Sequence, residues 1–248
     1  VSIWLPGLAA LYQITEQWSV LAGVHRGFSP LGGSAKSTER PETSVNYEMG
    51  LRYDGAWFAE VVGFYSDFSN KGESCSNSQP CSNGAVDGTF VTGEAVIAGV
   101  ELQLGHVFET GDIAWPISLA YTYSQAEASR DSTQSGVLDG DKLASVPENT
   151  MSLRLGAQVG ARWDSYAVVK YIDSMCVKAS CNRQASPFGE TEDFVVIDLG
   201  SRYAFTETLS AFVKLENALD ERAIVSRQPD GARPNKPRTA LVGVEWMF

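Results

Sequence analysis

No part of this 248-residue chain approaches the ~20 consecutive apolar residues that a membrane-spanning helix requires. The longest uninterrupted apolar pieces, such as AVIAGV at 95–100, are short and punctuated by glycine. A helical membrane protein is therefore excluded. No segment carries a convincing apolar period of 3.6 residues either, so helices of any kind are scarce. Basic residues are also few. There are 19 Lys and Arg against 30 Asp and Glu, a net charge of −11, and no cationic stripe. Nucleic acid is not an expected partner of such a surface. Histidine occurs twice, as His25 and His106, without a Ser or Asp in a nucleophile context, and no G-x-S-x-G is present. A hydrolase would lack its parts, and the chain reads as a non-enzyme. It opens VSIWLPGLAA, with neither an initiator Met nor a charged leader, as expected of a processed chain or a piece of a longer one.

The four cysteines form two tight pairs, Cys75 with Cys81 in CSNSQPC and Cys176 with Cys181 in CVKASC. Neither pair has the C-x-x-C spacing or the neighbouring His of a zinc site. Both lie in polar, turn-rich segments, and each is read as a local loop disulfide worth roughly 2 kcal/mol. Bonds of this kind persist in oxidising surroundings such as the periplasm or the cell surface.

What the chain has in abundance is alternation. Eleven segments repeat apolar residues with a period of two: GLAALYQI, WSVLAGVHRGF, SVNYEMGLRY, WFAEVVGFYSDF, VIAGVELQLGHVF, WPISLAYTYSQA, TMSLRLGAQVG, SYAVVKYID, FVVIDLGSRYAF, LSAFVKLENAL and RTALVGVEWMF. Their connections alternate short (14–18, 54–57, 109–114, 160–164, 206–209) with long (29–43, 70–93, 126–148, 174–191, 218–237), so that all long loops leave one end of the sheet. The faces differ in kind. Leu209, Ala211, Val213 and Leu215 oppose Lys214 and Glu216, and Val195, Ile197, Leu199 and Tyr203 oppose Asp198 and Arg202. Charges on an inner face would be ruinous in a dry sandwich core but suit a wet lumen. Aromatics crowd the strand ends (Tyr53, Trp57, Trp115, Trp163, Tyr203, Phe205, Trp246, Phe248) as at a membrane interface. These features predict an all-β, antiparallel up-and-down transmembrane β-barrel, with short periplasmic turns and long extracellular loops. Its first and last strands run the same way, so eleven strands cannot close on themselves.

Several stretches then resemble TonB-dependent outer-membrane receptors, over essentially the whole chain. GVHRGFSPL (23–31), ERPETSVNYEMGLRYDG (39–55), GFYSDFSN (63–70) and AVIAGVELQLG (95–105) follow one another in the family's order. KLENALDER (214–222) is similar to its Asn-Leu-x-Asp segment and GARPNKPRTALVGVEWMF (231–248) to its closing stretch. The CSNSQPC loop resembles that of ferric citrate and related ferric siderophore receptors. The resemblance implies that residues 1–248 are the C-terminal half of a 22-stranded barrel, with the plug domain and TonB box elsewhere. It implies a bacterial outer-membrane location, contact with lipid and lipopolysaccharide, and energy from the TonB complex through the missing N-terminal part. It also implies a C-terminal aromatic signal, Trp246 and Phe248, read by the barrel assembly machinery. No cofactor is implied; the transported ligand would be a ferric siderophore, with a passive porin or an adhesin as the alternative.

Ferric siderophores are usually anionic, so cations at the extracellular mouth are the expected contacts. The candidates are His25, Arg26, Lys178, Arg183, Arg222, Arg227 and Arg233. The loop at 126–148 is acidic, and either holds a divalent cation or is solvated.

Overall fold

In hydrocarbon a backbone N–H or C=O has no water to bond, so a spanning strand must be paired along its whole length by neighbouring strands. The computed structural model follows that rule. It describes residues 3–30, 40–75, 86, 88–132, 135–183, 186–227 and 231–248. The strands, in chain order, are β1 (Gly7–Gln13), β2 (Trp18–Ser29), β3 (Glu42–Asp54), β4 (Phe58–Cys75), β5 (Gly88–Thr110), β6 (Ile113–Ala128), β7 (Asn149–Val159), β8 (Trp163–Ile172), β9 (Phe194–Ala204), β10 (Leu209–Glu216), β11 (Ile224–Ser226), β12 (Arg233–Pro234) and β13 (Thr239–Trp246). Eleven of them form one antiparallel sheet in the order β1 to β10 and then β13, while β11 and β12 pair by themselves. The eleven expected strands are thus the eleven of the sheet. β1 and β13 are its edges and do not pair with each other.

Register carries the face assignment from strand to strand. Trp163 lies opposite Tyr203, Ala167 opposite Leu199 and Tyr171 opposite Val195. On the same face Tyr203 lies opposite Ala211, and Ala211 opposite Val244. The other face brings Asp164 opposite Arg202, Arg52 opposite Glu60 and Glu101 opposite Thr122. One face is therefore apolar around the whole sheet and the other is polar. Several of the polar charges are paired across strands: Lys170 with Asp198 at 2.8 Å, Arg202 with Glu245 at 3.3 Å, and Arg52 with Glu60.

Aromatic residues bound the apolar face. Near the short-turn end, Trp18 packs on Tyr53 at 4.9 Å and Trp57 stacks on His106 at 4.2 Å. Towards the other end, Tyr47 meets Tyr65 at 6.4 Å. Charge returns on this face only beyond the tyrosines, at Arg26, Asp67 and Glu127. From Trp163 to Tyr171 along β8 is eight residues, or about 26 Å of strand. A strand tilt of ~40° turns that into about 20 Å of bilayer, close to the apolar band of outer-membrane barrels.

Two segments differ from the pattern of their sequence. The segment 70–93 was expected to be a loop, yet β4 continues to Cys75 and β5 begins at Gly88. Their hairpin rises beyond the apolar band through an irregularity at Phe68–Gly72, where Asn70 has a positive φ. The expected loop 218–237 also contains the β11–β12 ladder.

The buried apolar side chains avoid the middle and short-turn end of the sheet. Among the described residues, the buried apolar ones are Ala95, Ala126 and Ala128 at the long-loop ends of β5 and β6, with Val137, Leu143, Cys176, Val177, Ala179, Cys181 and Ala223 in the long loops themselves. The sheet is a wall with two wet or greasy sides, and the dry core sits above it.

The face assignment predicts an asymmetry. Leu153→Arg on the apolar face of β7 is expected to lower stability by about 2–4 kcal/mol. Ser152→Arg, its neighbour on the polar face, is expected to change stability by no more than about 0.5 kcal/mol. Denaturant unfolding of the barrel in lipid vesicles measures both; equal costs would reverse the assignment.

Candidate functional site: the long-loop mouth

The long loops 129–148, 173–193 and 217–238 leave adjacent strand pairs and knit together. Asp141 organises the first two. Only 3% exposed, its carboxylate accepts from Arg183 Nε at 3.0 Å and Nη2 at 2.8 Å, and from Ser180 Oγ at 2.6 Å. The Arg183 fork holds the Asp141 carboxyl down at about 2, against an ordinary 3.8, despite the opposing effect of burial. Arg183 also donates to Gly136 O. Backbone bonds run alongside: Ser145 N to Cys176 O, and Ser180 N to Lys142 O. Cys176 and Cys181 form a disulfide, with Cα atoms 5.6 Å apart, as expected. The pair Cys75 and Cys81 lies outside the residues whose side chains are described.

The third loop is tied on twice. Glu192 N donates to Ile224 O, and Ile224 N donates back to Glu192 Oε2 at 2.7 Å. Asn217 ends β10 with a left-handed φ of 50°, a conformation Asn tolerates better than most residues. Buried, it bridges three segments: its N–H reaches Asp198 Oδ1, its amide donates to Glu221 O and Lys236 O, and its Oδ1 accepts from Glu221 N. Asp220, also at positive φ, accepts from Arg222 at 3.1 Å, and its carboxyl is lowered by the Arg238 backbone N–H and by Arg222. These two residues are the Asn and Asp of the KLENALDER stretch. The physical content of that motif is a clasp that returns the chain to β13.

The seven candidate cations are distributed unevenly. His25 and Arg26 are adjacent in β2 and so face opposite ways. His25 lies opposite Asn46 on the polar face, and Arg26 opposite Val45 on the apolar one. Arg183 is committed to Asp141. Arg222 is exposed beside Asp220. Arg227 donates to Glu190 O at 3.1 Å and lies 5.3 Å from the centre of the Phe188 ring. Lys178 is half-buried in the second loop, and Arg233 is exposed on β12. The acidic loop at 126–148 engages several of its carboxylates: Asp141 on Arg183 of the second loop, and within the loop Asp131 on Asp139 N and Glu148 on Lys142. A small cavity of about 130 Å³ opens beside it, lined by Gln125, Glu127, Lys142, Asp173 and Glu190 among others. That volume holds about four waters, far less than a metal chelate occupies. The two histidines share no site, since His106 stacks on Trp57 at the opposite end and on the other face.

The Asp141 clasp has a defined acid limit. A carboxyl lowered from 3.8 to about 2 contributes stability that is complete above pH 3.8 and lost as pH falls through 2. The contribution is on the order of 2 kcal/mol. Amides of residues 138–145 and 176–181 are expected to keep their hydrogen-exchange protection at pH 4, and Asp141→Asn is expected to remove it at neutral pH. Protection unchanged in that variant would show that the clasp is not what joins the loops.

Comparison with known proteins agrees with this architecture. The chain is 23% identical over 254 residues to the ferric-pyoverdine 358 receptor of Pseudomonas putida, covering 98% of this chain and 29% of that protein. It is 24% identical over 267 residues to the ferripyoverdine receptor of Pseudomonas aeruginosa, covering 99% and 30%. The chain therefore spans under a third of the length of these relatives. The crystal structure of the ferric yersiniabactin uptake receptor FyuA from Yersinia pestis superposes with a TM-score of 0.76 at 20% identity, over 98% of this chain and 37% of that one. Residues 1–218 match the family described as TonB dependent receptor-like, beta-barrel; the chain belongs to that family, as part of a β-barrel of the bacterial outer membrane.

Proposed function

We propose that this chain is the C-terminal part of a receptor that takes up a ferric siderophore across the outer membrane. The observation that carries the reading is that nearly the whole chain aligns with two receptors named for ferric pyoverdine. The remainder of such a receptor supplies the other strands of a 22-stranded barrel, the plug and the TonB box. Ligand capture falls to the loop cap, and energy comes from the TonB complex acting on the plug.

The placement of the cations refines their roles in this reading. Lys178, Arg222, Arg227 and Arg233 sit on the loop cap, and His25 on the lumen wall, as contacts for an anionic chelate. Arg183 acts indirectly, by holding two loops together. Arg26 lies on the apolar side just beyond the tyrosine level, which suits a lipopolysaccharide phosphate rather than cargo. Trp246 and Phe248, packed at 6.4 Å on the last strand, suit a signal to the barrel assembly machinery.

The test is growth under iron limitation. A host strain lacking its own pyoverdine receptors, carrying the full-length protein, is expected to grow on ferric pyoverdine in a manner that requires TonB. Growth that is independent of TonB would favour a passive porin. No growth on ferric pyoverdine, ferric citrate or a ferric catecholate would overturn the siderophore reading.

A further inference from the structure

On the lumen face, rings lie over glycines of the next strand. Tyr166 of β8 is opposite Gly200 of β9, and Phe212 of β10 is opposite Gly243 of β13. A Cβ placed on Gly200 would meet Tyr166 Cζ at 2.4 Å and Oη at 2.6 Å. A Cβ on Gly243 would meet Phe212 Cζ at 2.4 Å and Cε1 at 2.6 Å. Both rings therefore lie flat in sockets that only a residue without a side chain can provide. Phe64 lies over Gly99 in a similar way, but a Cβ there would also meet the Tyr123 carbonyl oxygen at 2.0 Å. At that position the backbone alone demands glycine.

The first two sockets are different, because the three nearest atoms all belong to the ring, and the ring is what must give way. On the side away from its glycine each ring is hemmed in. Beyond Tyr166, the matching glycine of β7, Gly156, is already covered by Pro116, whose Cγ lies 2.6 Å from where a Cβ would stand. The Arg154 guanidinium lies 4.2 Å from the centre of the Tyr166 ring. Beyond Phe212 is Arg202, held by Glu245 at 3.3 Å. A displaced ring rises off the wall into the lumen or fills the groove of about 360 Å³ that Tyr166, Arg202, Phe212 and Lys214 line on the same face.

We infer that Gly200 and Gly243 are positioning residues for transport: they stow Tyr166 and Phe212 against the wall and keep this arc of the lumen clear for what passes through it. The inference rests on the uptake function proposed above. It differs from a purely structural role for glycine. Alanine is better tolerated than glycine in a strand interior, so Gly200→Ala adds no intrinsic backbone penalty, and its consequence is the erected ring.

The experiment uses the full-length protein in cells, with radio-iron-loaded pyoverdine as the probe. Binding is read in cells poisoned with an uncoupler and uptake in energised cells, with surface level checked by heat-modifiable gel mobility. Gly200→Ala and Gly243→Ala are expected to bind the probe as wild type does while losing uptake several-fold. Tyr166→Ala combined with Gly200→Ala is expected to restore uptake, which a role in stability or register would not produce. Unchanged uptake in Gly200→Ala, or uptake lost equally in the double variant, would overturn the inference. A wild-type protein that takes up no iron from pyoverdine would count against the proposed function, and the crystal structure of Gly200→Ala would then decide the stowage itself. Tyr166 standing away from β9 would support it, and a ring still flat on β9 would refute it.

Discussion

Everything in this chain depends on the hydrogen-bonding demand of a backbone that crosses hydrocarbon. With no water available, each strand needs a partner on both sides, and side chains can only alternate between lipid and interior. Consecutive antiparallel pairing from β1 to β10 and on to β13 meets that demand everywhere except at the two edges. The same alternation separates Leu199 from Asp198 and Val213 from Lys214, giving each strand an apolar and a polar side. It also explains the ion pairs of the polar side, where Arg52 meets Glu60, Lys170 meets Asp198 and Arg202 meets Glu245. Lys170 reaches the diagonal Asp198 on the adjacent strand because the two share that face.

Outside the bilayer the constraint lapses, and the long loops have to be ordered by other means. They acquire the dry core that the sheet lacks, built on small buried residues such as Val137, Ala179 and Ala223. Three devices fasten it: the Asp141–Arg183 fork, the Cys176–Cys181 disulfide, and Asn217 at the end of β10. The fork and Asn217 join chain segments that the barrel holds apart, and the disulfide closes a turn within the second loop. The result is an ordered cap above a polar wall. Its cations Lys178, Arg222, Arg227 and Arg233 sit on segments that these bonds tie to the barrel and to one another.

Legibility in the sequence followed the solvent. Inside the bilayer, lipid selects apolar residues at every second position, so all eleven sheet strands and their faces could be read from residues such as Val195, Ile197 and Leu199. Above it, both faces of a strand are wet and the period vanishes. That is why NKGESC reads as loop although its backbone continues β4, and why β11 and β12 leave no pattern. Parity could have separated His25 from Arg26, since neighbours in a strand face opposite ways. The pairing of Asp141 with Arg183 crosses two loops and 42 positions, and no local pattern announces it. The glycine sockets were hidden for a related reason. Gly200 and Gly243 look like ordinary strand glycines until the register sets Tyr166 and Phe212 beside them.

The most direct test of the central claim is a spin-label scan along β9 of the full-length protein in lipid, from Val195 to Tyr203, reading collisions with oxygen and with a polar nickel chelate. The account predicts high oxygen accessibility at Val195, Ile197, Leu199, Ser201 and Tyr203 and low accessibility at Val196, Asp198, Gly200 and Arg202. Oxygen accessibility without a period of two, or with the opposite phase, would contradict it.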